Sequence, residues 1–454
     1  MRTLKKLERR AIICLILAGC LFLGLVIFCF RFVAYGSEWA SFPANKHLFA
    51  DGNLDCGAVY DKDGILLLQN TVDGAVYNDD GTIRRATFHA VGDPAGNIST
   101  GAETKFAGKL TGYNFINGAY SRNGDGRNLY LTIDADVCAA AYNALDGRKG
   151  CVGVYNYKTG KMICNVSSPS YDPNRPIDSD AAAEEGYFIN RLFSATFVPG
   201  SIFKTVTSAA VIDNLDYSNW SFNCTGSSKV GDDDITCVSA HGEVDFTDAL
   251  CKSCNGAFAQ LTLEMGADTM NEYVKKLGLT KSYSINGIRT AKSTFDFSES
   301  NPAALGWSGV GQGKDLVNPC SMMIYMGAIA NGGRVVVPQV VESVRSSRNF
   351  PLSLYVPHLR QKLVSSETAD ILTEMMRNNV VNNYGEGNFA GLNICAKSGT
   401  AEVGDGTSHA WFTGFLDDDA HPYAFIVLVE NGGSGAKVAG PIANKVLNAV
   451  IDNE

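Results

Sequence analysis

Ser201 and Lys204 are the first residues in this sequence whose types and spacing suggest nucleophilic chemistry. Residues three positions apart share one face of a helix, and the apolar residues around the pair predict a helix that begins at Ser201, after Pro199-Gly200. A serine hydroxyl becomes a good nucleophile when a nearby base takes its proton, and a lysine amine can be that base. Alone, the pair is weak evidence, because a helix-capping serine and a solvated lysine give the same pattern.

Two further polar motifs follow along the chain. Ser253 and Asn255 form an S-x-N tripeptide, which predicts a turn that brings a hydroxyl and an amide close together. Residues 397–400 read Lys-Ser-Gly-Thr and follow an apolar run, so they are predicted to lie on a strand whose glycine lets another backbone approach closely. If this strand lies at a sheet edge, it can pair with an extended peptide, and its lysine can attract a carboxylate.

In order, spacing and predicted local structure, the three motifs resemble the S-x-x-K, S-x-N and K-[ST]-G set of the penicillin-recognising serine enzymes. The chain from residue 129 to 454 is similar to class B penicillin-binding proteins, including a G-Q-G region at 309–313 and the strand at 409–415. The resemblance implies a peptidoglycan D,D-transpeptidase. Such an enzyme cross-links stem peptides through a serine acyl-enzyme, releases D-Ala, needs no cofactor and is acylated by β-lactams.

The resemblance also implies a role for each motif residue. Ser201 would be the acylated nucleophile and Lys204 its base, and the backbone N–H groups of Ser201 and Thr400 would form the oxyanion hole. The other catalytic residues would be Ser253, Asn255 and Lys397, and the substrate strand would be held by Ser398, Gly399 and Thr400.

Periodicity and turn signals predict the elements that position these motifs. Asp134 is placed to cap a helix that reaches about Leu145, and residues 151–166 have the pattern of a hairpin. Extended segments and one helix are expected near the C-terminus, at 391–396, 409–416, 424–430 and 442–452. One antiparallel sheet built by both ends of the domain, with a mainly helical insert at about 201–376, is an α+β arrangement.

The N-terminus predicts a single-pass membrane anchor. Five basic residues precede an uncharged apolar stretch from Ala11 to Phe30, which is long enough to span a bilayer core and is expected to keep its N-terminal end cytoplasmic. A cleaved signal peptide is the alternative, although no clear A-x-A site follows. We therefore expect four regions: a tail at 1–10, an anchor at 11–33, a small mostly-β pedestal at 34–128 and an external transpeptidase domain at 129–454.

Charge and motif content restrict the partners and the alternative functions. The net charge of −9 argues against a nucleic-acid partner. No motif suggests a glycan-polymerising module, so the resemblance implies a separate membrane polymerase of the SEDS type. A D,D-carboxypeptidase or β-lactamase on the same fold remains the alternative, but a secreted β-lactamase would have no pedestal. A catalytically silent scaffold would be expected to lose one motif, and all three are intact.

The sequence contains 13 cysteines. Cys251 and Cys254 form a C-x-x-C, but Cys224 and Cys237 before it are spaced too widely for a zinc knuckle, so no metal is expected. We predict Cys224 and Cys237 as a candidate disulfide, with two reduced buried thiols as the alternative.

Overall fold

The computed structural model describes residues 2–40, 57–71, 74–93, 95–113, 126–175, 177–297, 301–354, 359–404 and 406–454. The chain begins with helix α1 (Arg2–Ala40), whose large apolar side chains are exposed along its length. Within it, Leu4–Gly36 is long and apolar enough to cross a membrane. At 1.5 Å per residue this segment extends about 50 Å, which exceeds the ~30 Å core of a bilayer. The predicted anchor at 11–33 lies inside this helix.

A mixed sheet and three short helices follow helix α1. The six strands of this sheet are β1 (Ala58–Tyr60), β2 (Leu66–Thr71), β3 (Gly74–Tyr77), β4 (Asn128–Leu131), β14 (Val341–Arg345) and β15 (Pro351–Leu354). The helices are α2 (Gly81–Val91), α3 (Ala102–Lys105) and α4 (Ala107–Leu110). The strand order is β15-β14-β4-β1-β2-β3, with β1 and β4 parallel and the other neighbours antiparallel.

This sheet joins segments that are far apart in the sequence. Strand β4 begins at the predicted pedestal boundary, while β14 and β15 come from the region predicted as transpeptidase domain. Strand pairing depends on proximity in the fold, so a contiguous pedestal at 34–128 does not contain the whole sheet. Parts of that predicted pedestal, at 41–56 and 114–125, lie outside the described residues.

The second sheet confirms the predicted α+β core. Its strands are β5 (Gly150–Asn156), β6 (Met162–Ser168), β17 (Ile394–Glu402), β18 (Ser408–Leu416) and β19 (Tyr423–Val429), in the antiparallel order β17-β18-β19-β5-β6. Helices α5 (Ala135–Leu145) and α14 (Gly440–Asp452) pack against each other. The Asp134 side chain accepts from the N–H groups of Asp136 and Val137, as an N-cap does.

The segment between the two halves of this sheet is less helical than predicted. Its helices are α6 (Ser179–Glu184), α7 (Arg191–Ser194), α8 (Lys204–Asn214), α9 (Phe246–Cys251), α10 (Asn255–Lys276), α11 (Pro302–Val310), α12 (Pro319–Ala330) and α13 (Ser366–Asn379). Its short strands are β7 (Ser221–Cys224), β8 (Ser227–Val230), β9 (Asp233–Thr236), β10 (Gly242–Asp245), β11 (Ser284–Ile285), β12 (Ile288–Arg289), β13 (Arg334–Val336) and β16 (Leu359–Lys362). Strands of two to four residues are too short for hydrophobic periodicity to reveal.

Helix α12 lies at the centre of the core, behind the five-stranded sheet. Every residue from Pro319 to Ile329 is buried, because the helix is apolar on all faces and packs against β18 and β19. An ion pair connects the helices beside the six-stranded sheet to the segment that follows the five-stranded sheet's strand β6. The guanidinium of Arg84 in α2 donates two hydrogen bonds of 2.7 Å to the buried carboxylate of Asp172, which follows β6.

Candidate active site

Ser201 and Lys204 lie at the start of α8, as predicted, but the local geometry is tighter than an α-helix. Residues Gly200–Phe203 form a 3-10 turn, and α8 itself begins at Lys204. The turn brings Lys204 Nζ to 3.1 Å from Ser201 Oγ. The lysine side chain is fully buried, whereas Ser201 lines a cleft at the surface.

Lys204 Nζ has three further oxygen atoms around it. The carbonyl oxygen of Ser253 and Oδ1 of Asn255 each lie at 2.7 Å, and Ser253 Oγ lies at 3.1 Å. None of these three partner atoms is a carboxylate oxygen. Burial, reinforced by the positive charge of Lys397, lowers the pKa of Lys204 well below its ordinary value. The site therefore favours the neutral amine.

Lys397, on strand β17, contacts Ser253 as well. Its Nζ lies 3.1 Å from Ser253 Oγ and 2.9 Å from the carbonyl oxygen of Ser398, and its side chain is fully buried. Burial lowers the pKa of Lys397 to about 7. We expected this lysine to face a substrate carboxylate, but it sits behind the cleft wall. The Ser253 hydroxyl thus links the two lysine amines.

The S-x-N tripeptide occupies the turn between α9 and α10. Ser253 has a φ of 54°, a left-handed conformation that costs a non-glycine residue about 1 kcal/mol. Asn255 is the first residue of α10, and its Nδ2 donates a 2.7 Å hydrogen bond to the carbonyl oxygen of Thr236. These contacts direct Ser253 Oγ and Asn255 Oδ1 toward Lys204 Nζ.

Strand β17 forms one edge of the five-stranded sheet and carries the third motif, as predicted. Ser398 and Thr400 line the cleft beside Ser201. A Cβ added to Gly200 would lie 2.9 Å from the carbonyl oxygen of Thr400, and one added to Gly399 would lie 3.0 Å from a methyl group of Ile202. The two glycines therefore allow the backbone around Ser201 to lie directly against the backbone around Thr400.

The sequence motifs do not identify several residues of the cleft. The Tyr384 hydroxyl accepts from the N–H of Ser398 at 2.9 Å and lies 3.1 Å from Ser398 Oγ, so it fixes the strand from behind. Tyr384 does not line the cleft; the lining residues outside the three motifs are Thr236, Cys237, Val238, His241, Lys252, Trp307, Val310, Gln312 and Glu402. Among the described lining residues, Glu402 is the only carboxylate. Only Val310 and Gln312 belong to a segment that the sequence analysis indicated, the G-Q-G region at 309–313.

Cys224 and Cys237 are close together, but they are free thiols. Their sulfur atoms lie 3.7 Å apart, whereas a disulfide bond measures about 2.05 Å. The structure therefore does not contain the predicted disulfide. Cys237 Sγ also lies 3.8 Å from Cys254 Sγ, so the cysteines form a cluster rather than a simple pair.

Comparison with known proteins agrees with this geometry. Residues 150–448 match the family described as the penicillin binding protein transpeptidase domain. The chain is 30% identical over 362 residues to the peptidoglycan D,D-transpeptidase PbpA of Mycolicibacterium smegmatis, a match that covers 73% of this chain and 74% of that protein. It is 29% identical over 397 residues to the Mycobacterium tuberculosis protein of the same name, covering 79% and 78%. The fold resembles the M. tuberculosis penicillin-binding protein A in a ceftriaxone acyl-enzyme complex, with a TM-score of 0.77, 27% identity, and coverage of 88% of this chain and 99% of that one.

Proposed function

The chain belongs to the penicillin-binding protein transpeptidase family as a class B penicillin-binding protein, and we propose that it cross-links peptidoglycan through an acyl-enzyme on Ser201. The observation that carries the proposal is the 3.1 Å contact between Ser201 Oγ and the fully buried amine of Lys204. A hydroxyl next to a neutral amine at a cleft surface is the arrangement that nucleophilic catalysis requires. The M. smegmatis and M. tuberculosis relatives are named D,D-transpeptidases, which supports transfer to an amine over hydrolysis.

Acylation begins with proton removal from Ser201. A neutral Lys204 amine has two N–H groups. They donate hydrogen bonds to the two oxygen atoms at 2.7 Å, the carbonyl oxygen of Ser253 and Oδ1 of Asn255. The remaining lone pair points to the Ser201 hydroxyl and accepts its proton. Ser201 Oγ then attacks the carbonyl carbon of the penultimate D-Ala of a stem peptide. The negative charge on the carbonyl oxygen is stabilised by the N–H groups of Ser201 and Thr400.

The tetrahedral intermediate collapses when the C–N bond to the terminal D-Ala breaks. The leaving nitrogen takes a proton from Lys204, directly or through the Ser253 hydroxyl, and free D-Ala departs. An amine of a second stem peptide then attacks the Ser201 ester and loses its proton to Lys204. The new amide closes the cross-link, and Ser201 regains its hydrogen. Lys397 Nζ lies 3.1 Å from Ser253 Oγ and polarises this hydroxyl, which helps it to pass the proton on.

Ser398, Gly399 and Thr400 hold the extended stem peptide on the free side of β17. An edge strand offers backbone N–H and C=O groups to an added strand, and the two hydroxyl-bearing residues line the cleft beside Ser201. Because Lys397 is buried, hydroxyl and backbone groups meet the substrate instead of an ammonium group.

The membrane arrangement is part of the same proposal. We infer that α1 spans the membrane, with the basic N-terminal end in the cytoplasm and the transpeptidase domain outside. We also propose that glycan strands are made by a separate membrane polymerase of the SEDS type. Protease treatment of intact spheroplasts tests the orientation, because only an external domain is digested without lysis.

Transpeptidation can be tested directly with the full chain in detergent. A stem pentapeptide and an excess of acceptor amine should yield free D-Ala and an equal amount of the amide product, measured by mass spectrometry. Ser201→Ala should yield neither. Release of D-Ala with only the hydrolysed tetrapeptide as co-product would show a carboxypeptidase instead.

A further inference from the structure

Four metal-ligating side chains converge beside the S-x-N turn. They are Cys224 at the end of β7, Cys237 just after β9, His241 just before β10 and Cys254 immediately before α10. One ligand atom from each residue lies within 4.8 Å of the other three. Cys224 and Cys254 are buried, and Cys237 and His241 are partly buried at the wall of the cleft.

The spacing of these atoms fits a tetrahedral zinc ion. With Zn–S bonds of about 2.3 Å and a Zn–N bond of about 2.0 Å, tetrahedral ligands should lie about 3.8 Å apart for two sulfurs and about 3.5 Å apart for sulfur and nitrogen. Two of the three sulfur–sulfur distances match this value, 3.7 Å for Cys224–Cys237 and 3.8 Å for Cys237–Cys254, and the third is at most 4.8 Å. Cys224 Sγ lies 3.4 Å from Nδ1 of His241. Three cysteines and one histidine form a closed ligand set of the structural zinc type.

The surrounding backbone also favours a thiolate. The N–H of Asn255 donates a 3.2 Å hydrogen bond to Cys237 Sγ, and thiolate is the form of cysteine that binds a metal. The ligands are separated by up to 30 residues in sequence, but two nested hairpins bring them together. Strand β7 pairs with β10, which places Cys224 opposite Gly242, and the N–H of Cys237 bonds to the carbonyl oxygen of Gly226.

This segment has little apolar core of its own. From residue 221 to 245, only four side chains are buried, those of Cys224, Val230, Ile235 and Val244. Val238 is fully exposed. Small segments with so little buried apolar surface usually depend on a cross-link or a metal for a fixed structure.

We propose that Cys224, Cys237, His241 and Cys254 bind one zinc ion, and that this ion holds the S-x-N turn in its active geometry. The ion does not take part in the reaction, because all four coordination positions are filled by protein. Cys254 lies between Ser253 and Asn255 in the sequence, and Asn255 bonds to both Thr236 and Cys237. The metal thereby fixes both residues of the motif, including the left-handed backbone of Ser253. The proposal departs from the expectation of no metal, which was based on sequence spacing and did not include His241.

Zinc binding is tested by elemental analysis of the full chain, purified in detergent under reducing conditions without chelators. We expect one zinc per chain, and the same site should take Co²⁺ and show the visible absorption of tetrahedral cobalt with thiolate ligands. Cys224→Ser and His241→Ala should lose the zinc. The matched control is Cys251→Ser, because Cys251 is the other half of the C-x-x-C but lies outside the cluster.

The competing outcomes are distinguishable. The proposal is overturned in favour of the disulfide if three results coincide. The chain contains no zinc, thiol titration finds two thiols fewer than expected, and peptide mapping finds Cys224 and Cys237 joined by a disulfide. Equal zinc loss in the Cys251→Ser control also overturns the assignment. Should a ligand variant fold poorly, the natural chain is stripped with a chelator and reductant and then titrated with Zn²⁺, which should saturate at one equivalent.

The positioning role rests on the proposed function, whereas zinc binding does not. Removal of zinc should slow acylation by a fluorescent penicillin about 10- to 100-fold, as expected for a displaced catalytic group, and added Zn²⁺ should restore it. Bound zinc whose removal leaves the acylation rate unchanged would refute the positioning role alone. If penicillin never labels the chain, the proposed function fails, while the zinc content still decides the metal site.

Discussion

Replacement of Ser253 by alanine tests the link between the two lysines. The Ser253 hydroxyl lies 3.1 Å from Nζ of both Lys204 and Lys397, and it is the only described group that contacts both amines. Without it, the proton that Lys204 takes from Ser201 can reach the leaving nitrogen only directly, and two buried amines lose a shared partner. A hydrogen bond to a charged group contributes about 1.5–3 kcal/mol. At about 1.4 kcal/mol per factor of ten, acylation should slow roughly 10- to 150-fold.

The assay is the second-order rate constant for acylation by a fluorescent penicillin, measured by stopped flow with the full chain. Ser253→Gly is the matched control, because Ser253 has a φ of 54° that glycine adopts without strain. Both variants lack the hydroxyl and should show the same loss of rate, with the glycine variant the more stable of the two to heat. Recovery of the rate in Ser253→Gly would attribute the loss to the backbone instead. A rate for a folded Ser253→Ala chain within about twofold of the natural one would refute the role of this hydroxyl.

Three further predictions concern Lys204 as the base, the lifetime of the penicillin adduct and the contact between Arg84 and Asp172. Because the pKa of Lys204 is lowered and its reactive form is the neutral amine, the acylation rate should rise with pH and level off well below the ~10.4 of a free lysine; a rate that stays flat up to that range would contradict its role as base. A bound penicillin should stay attached for many minutes to hours, as measured by a chase with unlabelled drug. Glu402→Gln should leave that lifetime unchanged, whereas turnover within seconds that the substitution abolishes would indicate a β-lactamase. Arg84→Ala should lower the thermal midpoint, since the nearly buried carboxylate of Asp172 loses two hydrogen bonds worth about 1–3 kcal/mol in total; Arg175→Ala should not, because that side chain is 79% exposed and 3.9 Å away.

The elements that the sequence predicted well have strong local signals. Asp134 caps its helix, the 151–166 hairpin forms, and the C-terminal strands complete the sheet, because each has a cap, a turn or a long apolar run. The three motifs also meet as their order and spacing indicated, because Lys204 contacts Ser201 and Ser253, and Lys397 contacts Ser253.

The features that the sequence did not predict arise from contacts between distant segments. Strand β14 pairs with β4 in the six-stranded sheet although it follows β4 by about two hundred residues, and no local sequence pattern indicates this pairing. Lys397 was expected to attract a substrate carboxylate, but strand alternation turns it into the core while Ser398 lines the cleft. His241 has no motif around it, and only the pairing of β7 with β10 brings it to Cys224.

The proposed function depends above all on acylation of Ser201. The most direct test is mass spectrometry of the full chain after reaction with penicillin, with digestion to locate the adduct. We expect a single adduct on Ser201 and none in a Ser201→Ala chain that retains the near-ultraviolet circular dichroism of the natural protein. An adduct on any other residue, or undiminished labelling of Ser201→Ala, would contradict this expectation.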